Sequence, residues 1–222
     1  LGRATLSEHE SKELIAAWDI PITRELRAAT AREAVAAARS IGYPVALKVD
    51  SPHILHKTEA GAIRLNLSSD AQVRSAFTEV IASARAYDPT AAINSVLVQE
   101  MVSGGVEVIV GVSYDDQLGP MLLFGSGGVL VEVYHDVALR HCPVTRSQAL
   151  AMVSQVKGAR LLQGFRGRPA ADVGALADSL VQVSHLAVTL EGKLAELDIN
   201  PLMVLPAGQG VKAADALVVL LG

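Results

Sequence analysis

Apolar residues recur along this chain with two periods, one near 3.6 residues and one of two residues, in alternating blocks. Helical spacing follows two Ser/Thr-x-x-Glu capping boxes, which begin at Ser7 and at Thr30. Short runs rich in β-branched residues, bounded by polar or glycine-containing breaks, predict strands. We predict helices over residues 7–18, 30–41, 70–87, 147–162 and 172–190. We predict strands over residues 20–23, 45–49, 63–67, 96–99, 106–112, 121–124, 130–133, 194–199, 202–205 and 211–213.

The order of these elements is irregular, so it predicts an α+β fold rather than the strict alternation of a parallel α/β sheet. A glycine pair, Gly104-Gly105, separates two apolar strands and is suited to a hinge. Ligands commonly bind where two lobes meet. We therefore expect one domain over residues 1–222, made of two α+β lobes with the ligand cleft between them. The first lobe would cover about residues 25–100, and the second about 101–222 together with the N-terminal helix.

The composition narrows the functional classes. Half of the 222 residues are hydrophobic and 4% are aromatic, which suits helices packed on buried strands. The net charge of −4 argues against binding to nucleic acid or to an anionic membrane. With one cysteine, Cys142, the chain has no internal disulfide framework, and we expect it in the cytoplasm. The sequence pattern predicts neither a transmembrane span nor a signal peptide.

A lysine lies inside one of the predicted buried strands. Lys48 falls in the apolar run 45–49, where a charge is costly unless it is paired or meets a ligand. Two interpretations follow. Lys48 is either an edge-strand residue with its ammonium group in water or a residue that binds the phosphates of a nucleotide. The pattern alone does not separate them.

The loop of residues 51–61 places two histidines, a lysine and a hydroxyl group between two strands. It can cover a polyphosphate or form a solvated hairpin loop, and composition alone favours the solvated loop. His56 is the stronger candidate of the two histidines, because imidazole near neutral pH is a nucleophile that can hold a phosphoryl group. Lys57 follows it directly.

The segment Gln99–Val102 ends a predicted strand at the presumed joint between the lobes. Backbone groups at such a joint can contact the edge of an adenine ring. Glu107 lies seven residues past Glu100 and can accept hydrogen bonds from the ribose hydroxyls. The alternative is an ordinary hinge with two exposed glutamates.

The clearest chemical signal is the segment Glu196–Leu202. Asp198 and Asn200 are two residues apart in a predicted strand, so their side chains share one face. Oxygen ligands on one face suit Mg²⁺, and Asp215 is a candidate third ligand. We expect Pro201 to bend the chain. The alternative is a metal-free turn formed by Asp198 and Asn200.

Two further candidates are weaker. The run Gly125–Gly128 can cradle a phosphate through backbone N–H groups, but it lacks the spacing of a Walker A loop or a dinucleotide fingerprint. Arg140 can stabilise the charge on a transferring phosphoryl group, or it can form a surface salt bridge.

Together these segments resemble the ATP-grasp domain of ADP-forming acetyl-CoA and acyl-CoA synthetases, which is related more distantly to the β subunit of succinyl-CoA synthetase. The similarity runs almost from end to end. It is carried by residues 9–14, 42–48, 56–61, 99–102, 104–110, 127–132, 136–140, 164–167 and 198–201. The resemblance implies an ATP-grasp fold, with ATP or ADP and Mg²⁺ bound between two lobes.

The resemblance also implies roles for individual residues. Six would hold the nucleotide: Lys48, Lys57, Glu100, Met101, Val102 and Glu107. Asn200 and Asp215 would bind the metal ion, with Asp198 beside them. His56 matches a histidine that relays a phosphoryl group, and Arg140 would assist as a second catalytic residue.

The reaction implied is reversible: an acid, CoA and ATP give acyl-CoA, ADP and phosphate, through an acyl phosphate and a phosphohistidine. The chain has no CoA-binding segment of its own, so the resemblance implies an α-type partner subunit or domain that holds CoA and the acid. Two alternatives stay open. One is a non-catalytic region of a protein acetyltransferase that senses nucleotide or acyl-CoA. The other is a different ATP-grasp ligase, against which the loop around His56 argues.

Overall fold

The computed structural model of the protein describes residues 3–93, 95–115, 117–127, 136–164, 167 and 169–221. These form two compact units. Unit 1 contains the residues up to Leu6, then Glu10–Ile22, then those from Ser103 onward, and unit 2 contains Ser7–His9 and Thr23–Val102. In chain order the described elements are β1 (Arg3–Thr5), α1 (Glu8–Ala16), β2 (Glu25–Ala28), α2 (Ala31–Ile41), β3 (Val45–Asp50), β4 (Ile63–Leu67), α3 (Asp70–Tyr87), β5 (Ser95–Glu100), β6 (Val106–Asp115), β7 (Gly119–Ser126), β8 (Val137–His141), α4 (Arg146–Gln155), a 3₁₀ helix (Lys157–Gln163), α5 (Val173–Thr189), β9 (Leu194–Val204), β10 (Val211–Ala213) and β11 (Ala216–Leu221).

Unit 2 has a four-stranded antiparallel sheet in the order β2-β5-β3-β4, and α2 and α3 pack against it. Helix α2 begins where the sequence predicts, because the Thr30 hydroxyl accepts the backbone N–H of Glu33. In β3, Val45, Leu47 and Val49 are buried in the core formed with the helices. Successive residues of a strand point to opposite faces, so Lys48 lies on the face away from that core.

Unit 1 has an antiparallel sheet in the order β1-β11-β9-β6-β7-β8, with β10 beside β9. Helices α4 and α5 pack on one face. Buried residues of β6 and β7, among them Val112 and Leu122, form the core on that face. Gly111 and Leu123, which alternate with them and pair across the strands, lie on the opposite face.

Several predicted strands are wrong in their bounds. Residues 20–23 form no strand, and Ile22 makes an isolated bridge with Ala213. The two strands predicted over residues 194–205 are one continuous strand, β9. Pro201 does not break it, because the register of β9 against β6 shifts at this point, and a bulge tolerates a residue without an N–H. Strands β1, β2, β8 and β11 were not predicted, since they are short or lack alternation.

The helix predicted over residues 147–162 is also wrong in one respect. Helix α4 ends at Gln155 and a separate 3₁₀ helix follows. The break has a local cause: the Asp136 carboxylate accepts the N–H groups of Lys157 and Gly158, at 2.8 and 2.7 Å, so these amides do not continue the α-helix.

The strand predicted over residues 130–133 lies outside the described residues. Gly128, Phe165 and Arg166, which belong to segments named above, lie outside them as well. In the described part of the chain, no helix combines the length and apolar character that crossing a membrane requires.

Candidate functional site

Lys48 occupies the middle of β3, which is an inner strand of the unit 2 sheet. It pairs with Ile63 of β4 on one side and with Leu97 of β5 on the other. Its side chain is 4% exposed, so the interpretation as an edge-strand lysine with its head in water is wrong. The ammonium group forms an ion pair with one carboxylate oxygen, Oε1, of Glu8.

Lys57 meets the same carboxylate. Its Nζ lies 2.9 Å from Oε2 of Glu8, and its side chain is 9% exposed. Glu8 therefore pairs with Lys48 through one oxygen and with Lys57 through the other, and its own side chain is 1% exposed. Sequence reasoning did not identify Glu8, because only its neighbours Ser7 and Glu10 fit a capping pattern.

The loop between β3 and β4 contains hydrogen-bonded turns, and several of its residues are exposed, as expected for a solvated loop. The N–H of Ala60 donates to the carbonyl of His56 at 3.1 Å, and the N–H of Ala62 donates to the carbonyl of Lys57 at 2.8 Å. Ile54 is buried and anchors the loop to the core of unit 2. The His56 side chain is exposed, which leaves its imidazole accessible to a reactant.

The strand end at Glu100 is braced by Arg24. The backbone N–H and the Nε of Arg24 donate to the two oxygens of the Glu100 carboxylate, at 2.9 and 3.2 Å. The N–H of Met101 donates to the carbonyl of Pro44 at 3.3 Å. Because the carboxylate is engaged with Arg24, a base bound at Glu100–Val102 would more readily meet backbone groups than the Glu100 side chain.

In unit 1, Asp198 and Asn200 are alternate residues of β9, and Leu197 and Ile199, which alternate with them, are buried in the core. The prediction that they share one face of a strand is therefore confirmed. Asp215 precedes β11, and its backbone carbonyl accepts the N–H of Asn200 at 3.2 Å. This links the two segments that carry the predicted metal ligands.

The electrostatic environment of Asp198 is unfavourable to its charged form. Burial, reinforced by the neighbouring carboxylates of Glu196 and Asp215, raises the pKa of Asp198 to about 6, although the hydrogen bond with Asn200 acts in the opposite direction. A bound cation would relieve this accumulation of negative charge.

The structure, in the residues it describes, contains no group of three His, Cys, Asp or Glu side chains placed to hold one metal ion. Mg²⁺ usually takes one or two protein carboxylates and completes its six ligands with phosphates and water. Asp198, Asn200 and Asp215 supply two carboxylates and an amide oxygen, so the donor set fits Mg²⁺ and does not suit a soft metal.

Glu107 lies on the same face of the unit 1 sheet as Asp198. Glu107 and Gly111 are four residues apart on β6, and Gly111 pairs with Asp198. A Cβ built on Gly111 would lie 3.9 Å from an oxygen of Asp198. The Asp198 carboxylate therefore lies close to the backbone of β6 at Gly111. Gly127 donates its N–H to the carbonyl of Glu107 at 3.0 Å.

Arg140 is not brought together with these residues. Strand β8 pairs with β7 so that Arg140 is opposite Leu122, which faces the helices. Its Nη2 donates to Oε1 of Gln155 on α4, at 2.9 Å. Asp198 belongs to the opposite face of the sheet, because it pairs with Gly111. The catalytic role of Arg140 stays a prediction that this placement does not support.

The first two residues of the run 125–128 belong to β7 and not to a loop, and phosphate binding by this run stays a prediction. The hydroxyl of Ser126 donates to the Asp136 carboxylate at 3.1 Å. The same carboxylate accepts the first N–H groups of the 3₁₀ helix, so Ser126 helps to hold the start of that helix. Burial acts to raise the pKa of Asp136, but hydrogen bonds from Gly158, Lys157 and Ser126 outweigh it and lower the pKa.

Residues 1–220 match the family model of an ATP-grasp domain. The chain is 39% identical over 221 residues to the beta subunit of ADP-forming acetate–CoA ligase II from Pyrococcus furiosus, covering 100% of this chain and 94% of that one. It is 38% identical to ADP-forming 4-hydroxybutyrate–CoA ligase from Nitrosopumilus maritimus, over 96% of this chain and 30% of that protein.

Among solved structures, the chain is similar to dinucleotide-forming acetyl-coenzyme A synthetase 1 from Ca. Korarchaeum cryptofilum in complex with coenzyme A, Ca-AMPCP and HgCl⁺. The TM-score is 0.94 and the identity 40%, and the match covers 99% of this chain and 95% of that one.

Proposed function

The chain belongs to the ATP-grasp domains of the ADP-forming acyl-CoA synthetases, and we propose that it binds Mg-ATP or Mg-ADP and exchanges the terminal phosphate with a CoA-binding partner. The overall reaction would be acid, CoA and ATP giving acyl-CoA, ADP and phosphate. The observation that carries this proposal is the pair of buried lysines, Lys48 and Lys57, which converge on one carboxylate in unit 2.

Lys48 and Lys57 would bind the phosphates of the nucleotide. A lysine ammonium group is a compact positive charge, which suits a phosphate group. Both side chains are more than 90% buried, and an electrostatic interaction is stronger there than in bulk water. Burial on an inner strand and an ordered loop also limits the freedom that the lysines would lose on binding.

Asp198, Asn200 and Asp215 would hold Mg²⁺, and Glu107 would accept the ribose hydroxyls. When bound, Mg²⁺ supplies positive charge to the phosphate oxygens. The raised pKa of Asp198 supports this assignment, since a carboxylate crowded by Glu196 and Asp215 gains from a nearby cation. The similar acetyl-coenzyme A synthetase was solved with a calcium-bound nucleotide analogue.

His56 would take part in phosphoryl transfer. In the ATP-forming direction, the bond between phosphorus and an imidazole nitrogen breaks and a bond to the terminal phosphate oxygen of ADP forms, which leaves the imidazole free to accept another phosphoryl group. The exposed side chain of His56 and the ordered backbone of its loop support this role.

The acid and CoA would be held mainly by an α-type subunit or domain. The similar protein from Pyrococcus furiosus is named as a beta subunit, and the similar ligase from Nitrosopumilus maritimus is a much longer chain, of which the match covers 30%. We propose that this chain works in one of these two arrangements, with the partner as a separate subunit or as a fused domain.

Calorimetric titration of the chain with ADP and ATP, with and without Mg²⁺, tests the nucleotide site. We expect Mg²⁺-dependent dissociation constants in the micromolar range, which correspond to about −8 kcal/mol.

Lys48→Ala should weaken ADP binding at least tenfold, because it removes a buried positive charge that would contact the phosphates. The matched control is Lys193→Ala, which removes an exposed lysine and should leave the affinity unchanged. Equal affinity in the Lys48 variant and the parent chain would contradict the phosphate role. Binding without phosphate exchange in the presence of the partner would favour the non-catalytic sensing role.

A further inference from the structure

Glu8 is a buried carboxylate that joins the two lysines assigned to phosphate binding. Its Oε1 contacts the Nζ of Lys48, and its Oε2 lies 2.9 Å from the Nζ of Lys57. The three side chains are 1%, 4% and 9% exposed, in the order Glu8, Lys48, Lys57. All three residues belong to unit 2: Glu8 is the first residue of α1, Lys48 lies in β3, and Lys57 lies in the loop that follows β3.

Such a carboxylate has a clear physical effect on the lysines. Two ammonium groups brought close together in a buried site repel each other, and each lysine has four rotatable bonds that allow its head to move away. A carboxylate that accepts from both lowers the repulsion and fixes the two heads side by side. Two ammonium groups held side by side concentrate positive charge, which attracts an oxyanion.

Glu8 is well placed to act as the fixed member of this group. It is the first residue of α1, where the aligned backbone N–H groups stabilise negative charge. Lys48 is held by pairing of β3 on both sides, and the backbone of Lys57 is held by the hydrogen bond from Ala62. All three backbones are thus constrained, and the side chains meet at their ends.

We propose that Glu8 is a positioning residue that holds Lys48 and Lys57 together as one binding site for a phosphate group of the nucleotide. This inference rests on the proposed function, in which the two lysines contact phosphates. Glu8 itself does not contact the nucleotide. Its removal therefore affects the part of the binding energy that comes from the phosphates and leaves the part that comes from adenosine.

The test compares ADP with adenosine, which lacks phosphates, by calorimetric titration of the full chain. Glu8→Gln keeps the size of the side chain but removes its charge. We expect it to weaken ADP binding at least tenfold and to change adenosine binding less than twofold. The matched control is Glu13→Gln, an exposed glutamate of the same helix, for which both affinities should stay within twofold of the parent chain.

Two results would overturn the proposal. Tighter ADP binding by Glu8→Gln would show that Glu8 competes with the phosphate instead of preparing its site. An equal loss for ADP and adenosine would show that Glu8 only maintains the fold. Glu8→Asp keeps the charge on a shorter side chain, so it should retain more ADP affinity than Glu8→Gln and provides a second comparison if the glutamine variant unfolds.

A double-mutant comparison separates this inference from the proposed function. If Glu8 acts through the lysines, Glu8→Gln should weaken ADP binding less than threefold when Lys57→Gln is already present. A full tenfold loss in that background would overturn the positioning role. If Lys48→Ala binds ADP normally, the proposed phosphate role fails first. If Lys48→Ala loses affinity and Glu8→Gln does not, only the inference about Glu8 fails.

Discussion

Replacing Asp198 by asparagine is expected to stabilise the metal-free chain while it weakens Mg²⁺-dependent nucleotide binding. Asp198 is partly buried in unit 1 near Glu196 and Asp215, and these surroundings raise its pKa from 3.8 to about 6. At neutral pH the folded chain therefore holds an ionised carboxylate in a place that disfavours the charge. Asparagine keeps the shape and can still exchange a hydrogen bond with Asn200, but it carries no charge.

The size of the effect follows from the pKa of Asp198. Each unit of pKa corresponds to about 1.4 kcal/mol, so a rise from 3.8 to about 6 corresponds to about 3 kcal/mol, which partial solvent exposure reduces. The folded state binds the proton more tightly than the unfolded state. The contribution of proton binding at Asp198 to the free energy of unfolding is thus fully present below pH 3.8 and is lost as the pH rises through about 6. The gain from Asp198→Asn should be largest above pH 7 and should disappear under acid conditions.

Thermal unfolding of both chains in the presence of a chelator, at pH 8 and at pH 4.5, measures this difference. A gain of 1 kcal/mol raises the midpoint by about 2 to 4 °C in a chain of this size. We expect a rise of about 4 to 10 °C at pH 8 and a clearly smaller one at pH 4.5. Asp178→Asn is the matched control, because it removes an exposed carboxylate that forms a surface ion pair with Arg146 at 2.7 Å, and it should give no gain.

The reasoning would be refuted if Asp198→Asn destabilised the metal-free chain at pH 8, or if its effect were the same at both pH values. A stabilised variant that still bound Mg-ADP as tightly as the parent chain would leave the electrostatic argument intact. It would contradict the assignment of Asp198 to the metal site.

Two further predictions concern the loop after β3 and the backbone beside Glu107. His56→Ala should bind ADP and ATP like the parent chain but should lose phosphate exchange with the partner, because only the phosphoryl acceptor is removed. Exchange of labelled phosphate measures this, and His53→Ala serves as the control from the same loop. Exchange that survives in the His56 variant would show that His56 has no role in phosphoryl transfer. Gly127→Ala should destabilise unit 1 by about 1 to 3 kcal/mol in urea unfolding, since a Cβ there would lie 2.7 Å from the backbone carbonyl of Glu107. The control Gly174→Ala meets no atom closer than 3.4 Å and should be nearly neutral, so equal stability of the two variants would contradict the close approach at Gly127.

The local pattern of the sequence determined most of the secondary structure and one half of the candidate site. Helix α2 begins at Thr30 because a hydroxyl and an amide three residues apart are enough to cap it. Strands β3, β4 and β5 follow the predicted apolar runs closely. Asp198 and Asn200 share a face because strand geometry places alternate residues on one side, whichever strands lie beside them. The ATP-grasp family was also identifiable from the sequence, since it depends on the combination of segments in their order.

Tertiary structure alone decided which neighbours these residues have. Lys48 lies on an inner strand because β5, about 50 positions away along the chain, pairs with β3 on the side that β4 leaves open. Arg140 faces the helices because of the register between β8 and β7, and a shift of one residue would have turned it to the face of Asp198. Glu8 meets two lysines that lie 40 and 49 positions further along the chain. Hydrophobic periodicity reports the period and the buried side of an element, but the partner of a strand or of a charged side chain is set by contacts between distant segments, which a local pattern does not encode.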